Sequence, residues 1–166
     1  MAESLIQTQN GGLADPADPA ELDIAAMDGF AQLSAIVDGR LPPAPIAETI
    51  GMVDFEILER GAVAVALIPE RRHYNPIGSI HGGVHSTLLD TACGCSVHST
   101  LGVGEGYTSL DLSVKFLRAA TVDSGRLRAV GSVLQRGRRT ALAEAKLYDA
   151  SGRLLAHATS SCMIFS

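Results

Sequence analysis

Residues 75–101 read NPIGSIHGGVHSTLLDTACGCSVHSTL, and Asp90 is the one formal charge among them. A carboxylate taken out of water either raises its pKa or finds hydrogen bonds, and Asp is a poor residue inside a helix. Either Asp90 is tied to backbone or hydroxyl groups for structural reasons, or it works on a substrate as base or nucleophile. Gly82 and Gly83 open the same stretch. Two glycines where a loop enters a helix expose backbone N–H groups, and the helix N-terminus adds partial positive charge, which suits a developing oxyanion. The structural alternative is that they only permit a tight entry. A donor and a carboxylate on one helix are more specific than either alone.

A second cluster, Arg136, Arg138 and Arg139 around Gly137 in LQRGRRTAL, stands out in a chain of net charge -5. Arg forks suit phosphates, and solvated turn charges are the alternative. Other patterns carry less. His81 and His85 have metal-ligand spacing, but the Glu of H-E-x-x-H and a third ligand are missing. GVGEG at 102–106 follows a helix, so it is a loop and not a dinucleotide fingerprint, and there is no G-x-S-x-G. Cys93, Cys95 and Cys162 read as buried free thiols rather than a metal knuckle or a disulfide framework.

The elements that position these residues follow from periodicity. A chain of 166 residues, 46% hydrophobic and 19% charged, supports one buried core. Its negative charge argues against general nucleic-acid binding. No segment has the start of a secretory signal or the apolar length of a membrane span, so the expectation is a cytoplasmic protein with no membrane partner. Residues 1–20 read as a flexible tail and 21–44 as a peripheral helix and Pro-rich connection. The helix is expected from Ile24, Met27, Phe30, Leu33 and Val37 on one face, with a stop at Gly39. The main domain then occupies 45–166.

Within that domain MVDFEILERGAVAVALIP predicts a hairpin turning near Arg60 and Gly61. TSLDLSVKFLRA, GRLRAVGSVLQRG, RTALAEAKLYDASG and RLLAHATSSCMIF predict four further strands. In the first of these, Leu110, Leu112, Val114 and Phe116 alternate with Asp111, Ser113 and Lys115, as in a half-buried strand. Between the hairpin and these strands lies one long helix starting at Gly82 or Gly83. Stepping about 100° per residue puts Val84, Leu88, Ala92 and Cys95 on one side, extended by Leu89, Cys93 and Val97. Ser86, Thr87, Asp90, Thr91, Gly94 and His98 take the other. No Lys, Arg or Glu lies between His73 and Gly104, so burial by the sheet and a second subunit is expected. The layout is α+β, an antiparallel sheet wrapped around a long central helix.

Asn75, then H-G-G at His81, Gly82 and Gly83, then Asp90 nine positions after the His in LLDTACG, resembles the hotdog-fold acyl-CoA thioesterases of the PaaI type, near the phenylacetate-degradation and 4-hydroxybenzoyl-CoA branches. The likeness extends over roughly 45–165 and implies a homo-oligomer, usually a dimer of dimers, with active sites across a subunit interface. It implies that the Gly82 N–H binds the thioester oxygen, helped by His81 and the helix dipole, that Gly83 contacts the substrate, and that Asn75 orients substrate or water. Asp90 of the neighbouring subunit would act as nucleophile or general base. Ser109 in SLDL would help position the water or carboxylate, with Thr108 as its neighbour, and Arg136, Gly137, Arg138 and Arg139 would meet coenzyme A. No cofactor is implied, because coenzyme A belongs to the substrate. Two rival readings are a hotdog dehydratase acting on acyl carrier protein substrates, with His81 as acid or base, and a non-catalytic acyl-CoA-binding protein.

Overall fold

The computed structural model describes residues 22–166; the expected tail at 1–20 lies outside them. Residues 24–37 do not form one helix. A 3-10 turn at Ile24–Ala26 precedes α1 (Gly29–Val37). Asp28 separates the two because its side chain accepts from Ala31 N–H at 2.8 Å and caps the helix there. Gly39, at φ 73°, supplies the expected stop. A short helix that periodicity did not suggest, α2 (Pro45–Ile50), begins with Pro at its first position and ends on Gly51 at φ 70°.

The hairpin is as expected: β1 (Met52–Glu59) and β2 (Ala62–Leu67) turn at Arg60 and Gly61. The long helix, α3, is Gly82–His98. After it come β3 (Gly106–Ser109), β4 (Ser113–Phe116), β5 (Leu127–Arg136), β6 (Thr140–Tyr148) and β7 (Leu154–Phe165). All pairs are antiparallel, in the order β1-β2-β5-β6-β7-β3, with β4 also on β7.

The segment expected as one strand, TSLDLSVKFLRA, is therefore two. Asp111 divides it: its Oδ1 accepts from Ser161 N–H at 2.9 Å, while its backbone carbonyl accepts from the Ser160 hydroxyl at 2.7 Å. Side-chain bonds replace the regular ladder at 110–112. The expected alternation fails with it. Leu112 and Val114 are half-buried, but Leu110 is 60% and Phe116 56% exposed.

The sheet wraps α3 as the predicted layout requires, with β2, β5, β6 and β7 all packed on the helix. The inward rows of the central strands are small: Ala129 on β5, Ala143 and Ala145 on β6, and Ala156 and Ala158 on β7 are fully buried. They let the helix lie close. At Gly131 a Cβ would stand 2.2 Å from the Ala92 carbonyl oxygen, so that crossing admits only glycine. The Ser96 hydroxyl accepts from Val63 N–H at 3.1 Å and ties α3 to β2.

The buried face of α3 is His85, Leu88, Leu89, Ala92, Cys93, Gly94, Ser96 and Val97. This shifts the expected face, since Val84 and Cys95 are only half-buried. Gly94 belongs inside rather than on the polar side, because a Cβ there would meet the Tyr107 hydroxyl at 2.5 Å. Burying Leu88 and Leu89 alone stabilises the fold by about 1.5–3 kcal/mol each.

Candidate active site

The loop leading into α3 is closed locally. Tyr74 pairs with Ile80, and Asn75 N–H donates to the Ser79 carbonyl at 2.8 Å. The Asn75 side chain completes the turn: its Oδ1 accepts from the N–H groups of Ile77 and Ser79, each at 3.1 Å, and its Nδ2 donates to Ser79 Oγ at 3.0 Å. One amide hydrogen of Asn75 remains for a ligand. His81 is the helix cap, with its Nδ1 accepting from Gly83 N–H at 2.8 Å. That bond puts the ring proton of neutral His81 on Nε2. It also engages the Gly83 N–H in the helix cap. Gly82, the first residue of α3, keeps an N–H that the helix cannot satisfy. Its bare Cα accommodates the Phe116 ring, which a Cβ would approach to 3.1 Å. Asn75, Ser79, Gly82, His85, Phe116 and Arg118 line a cleft of about 380 Å³.

Asp90 opens onto a different cleft, of about 340 Å³, with Ser86, Thr87, Ser109, Asp111 and Leu112. Ser109, not Thr108, is the residue that faces it. The hydroxyls nearby bond back to their own helix: Ser86 to the Gly82 carbonyl, Thr87 to the Gly83 carbonyl and Thr91 to the Thr87 carbonyl, at 2.9, 2.9 and 2.7 Å. None donates to Asp90, and no cation among the described residues pairs with it. Asp90 is exposed within one protomer, yet partial desolvation holds its carboxyl above the usual Asp value. The neighbouring thiols are not competing nucleophiles, because burial, with a lesser contribution from the Asp90 charge, pushes Cys93 and Cys95 up to about 12.

Gly82 and Asp90 are eight residues apart, about 12 Å along the helix axis. One thioester carbon cannot touch both in the same protomer, where reacting atoms need to approach within about 3–3.5 Å.

The arginine cluster lies on the β5–β6 turn, as expected, but its members differ. Arg136 pairs with Glu105 at 2.6 Å and also donates to the Gly137 carbonyl. Arg138 and Arg139 are exposed and line a cleft of about 500 Å³ with Glu105, Met163 and Phe165. Gly137 holds the turn, its N–H donating to the Thr140 carbonyl at 2.8 Å.

The sequence reading gave Asp111 no site role and weighed His85 only as a metal ligand. Asp111 brings a second carboxylate to the Asp90 cleft, and only the break in the edge strand puts it there. His85 is 3% exposed, and neither ring nitrogen has a partner among the described residues. Burial pushes its pKa down, so the ring is neutral. The described residues contain no cluster of potential metal ligands.

Residues 77–156 match the family described as the Thioesterase superfamily. A Halobacterium salinarum protein provisionally named an esterase is 41% identical over 69 residues, covering 40% of this chain and 44% of its own length. The chain thus spans under half of that relative. The 1,4-dihydroxy-2-naphthoyl-CoA hydrolase of Listeria monocytogenes is 27% identical over 110 residues, 66% of this chain and 87% of that one. The crystal structure of a phenylacetic acid degradation-related protein from Ralstonia eutropha superposes with a TM-score of 0.72 at 29% identity, covering 79% of this chain and 98% of that one. With the wrapped helix, the H-G-G entry and these likenesses in agreement, the chain has the hotdog fold and is similar to the thioesterase superfamily, including a protein of the phenylacetate-degradation type.

Proposed function

We propose that the protein is an acyl-CoA thioesterase that adds water to the thioester carbonyl and releases a carboxylic acid and the coenzyme A thiol. The observation that carries this reading is Asp90: a partly desolvated carboxylate on the open side of the helix, with no partner among the described residues and with Ser109 beside it. A carboxylate kept for the fold would be tied to backbone or hydroxyl groups.

The active unit is two subunits. The Gly82 N–H of one subunit, at the positive end of α3, stabilises the oxyanion, with the Nε2–H of His81 and the remaining amide hydrogen of Asn75 nearby. Asp90 of the other subunit takes the proton of the attacking water as general base, or attacks the carbonyl itself to give a mixed anhydride that water then cleaves. Ser109 positions the water or the carboxylate. Arg138 and Arg139 attract the nucleotide phosphates, and the protein works as a homo-oligomer, a dimer of dimers.

Asp90→Asn keeps the size and removes the basic oxygen. It should lower kcat at least about a hundredfold, while binding of coenzyme A persists and Tm stays nearly unchanged, because Asp90 has no partner to lose. Near-normal kcat, followed as thiol release from acyl-CoA, would reject the assignment.

A further inference from the structure

A separate cavity bears on which acyl group is accepted. A cleft of about 360 Å³ opens where α1, α2 and the start of β1 lean against α3. Leu33, Ile36, Val37, Ile46, Met52 and Val53 are among its walls, and Phe55 is the one aromatic ring. Its only charged lining residue, Asp54, is paired with Arg126 at 2.6 Å. Val37, Ile46 and Val53 are 50%, 45% and 52% exposed, so the walls keep apolar surface open to solvent.

α3 contributes Thr91 and Cys95 to this cleft. Thr91 directly follows Asp90 and Cys95 is one turn further along, so the cleft meets α3 about 100° around the helix from the side that carries the carboxylate. Neither residue offers a strong free donor: the Thr91 hydroxyl is bonded to the Thr87 carbonyl, and a protonated thiol is a weak donor. The volume is at the low end for ligand pockets, about 300–1,000 Å³, which suits an acyl group and not the coenzyme.

We propose that this cleft holds the acyl group of the substrate, an aliphatic chain of medium length without hydroxyl or charged substituents, in the subunit that supplies Asp90. The inference rests on the thioesterase reading above. A hydroxylated aryl group would give up water at its hydroxyl for walls that are mostly aliphatic, where the Thr91 hydroxyl oxygen and the Arg126-paired Asp54 are the side-chain acceptors, which costs binding. Each added methylene instead exchanges water for aliphatic wall.

The test uses the full chain, thiol release, and butanoyl-, hexanoyl-, octanoyl- and 4-hydroxybenzoyl-CoA. kcat/KM should rise about fourfold per methylene from butanoyl to octanoyl, with 4-hydroxybenzoyl-CoA at least about tenfold below octanoyl. Ala47→Phe fills the cleft from α2, and Val53→Asp places a charge in its wall. Each should lower the octanoyl-to-butanoyl ratio at least about tenfold. A flat chain-length profile with turnover still dependent on Asp90, a preference for the hydroxyaryl substrate, or an unchanged ratio in both variants would overturn the acyl site and leave the thioesterase reading intact. No hydrolysis of any of the four, or full activity in Asp90→Asn, would remove the reading beneath it.

Discussion

At the residue scale, His85 shows what burial does to a titratable group. Desolvation lowers the pKa of both His85 and His98. Between those depressed values and the unfolded value of about 6.5, the unfolded chain holds more protons than the folded one, so stability rises with pH there. The two residues contribute their full stability above about pH 6.5 and lose it as the pH falls. Melting scans should therefore show Tm dropping from pH 7.5 to 5.5, a window above the titration of the paired carboxylates Glu56, Glu105 and Glu144, whose pKa values are lowered. His85→Leu should flatten part of that drop and cost nothing at pH 7.5, since it removes two buried nitrogens that have no partner among the described residues. An unchanged pH slope in the variant would show that His85 is not the group responsible.

At the element scale, the β5–β6 turn separates two kinds of arginine that look alike in sequence. Arg136 is committed to Glu105, whereas Arg138 and Arg139 project from the turn into solvent. Replacing Arg138 and Arg139 together by Ala should raise KM for an acyl-CoA severalfold, with a smaller effect at high salt, and leave KM for the acyl-N-acetylcysteamine thioester unchanged. Equal effects on the two substrates would remove the phosphate role. The edge formed by β3 and β4 shows the same dependence on context. TSLDLSVKFLRA alternates like a strand, but Asp111 bonds to β7 and interrupts it, and the interruption is what brings Ser109 and Asp111 to the Asp90 cleft.

At the scale of the whole molecule, β3 and β4 pair, among the described residues, with β7 on one side only, and Leu110, Phe116 and Leu117 lie 60%, 56% and 51% exposed along that edge. Unprotected edges of this kind are usually covered. The separation of about 12 Å between Gly82 and Asp90 along one helix makes the same demand from the chemistry. Complementation between inactive variants tests it. Asp90→Asn and Gly82→Pro should each be inactive alone, but co-expressed subunits should recover about a quarter of wild-type activity, because a mixed dimer rebuilds one of its two sites. No recovery from a folded, mixed dimer would place both residues' work within one subunit.

Much of this was legible in one dimension. Hydrophobic period set out the β1–β2 hairpin, the long helix from Gly82 and the strands at β5, β6 and β7, because these elements bury a regular face and their turns carry glycine or charge. Asp90 stood out because it is the one formal charge in an otherwise apolar helix, and only the fold shows that it lies on the helix's exposed side. Local side-chain bonds defeated the same reading at Asp28, which caps a helix in the middle of an apolar period, and at Asp111, which breaks a strand. Only the tertiary structure could give Arg136 a partner in Glu105, turn Gly94 inward against Tyr107 and leave His85 buried with no partner among the described residues. It alone set the aliphatic cleft beside Thr91 and Cys95, whose walls come from α1, α2, β1 and α3. Such contacts join residues far apart in the chain, and no spacing along the sequence encodes where separate elements meet.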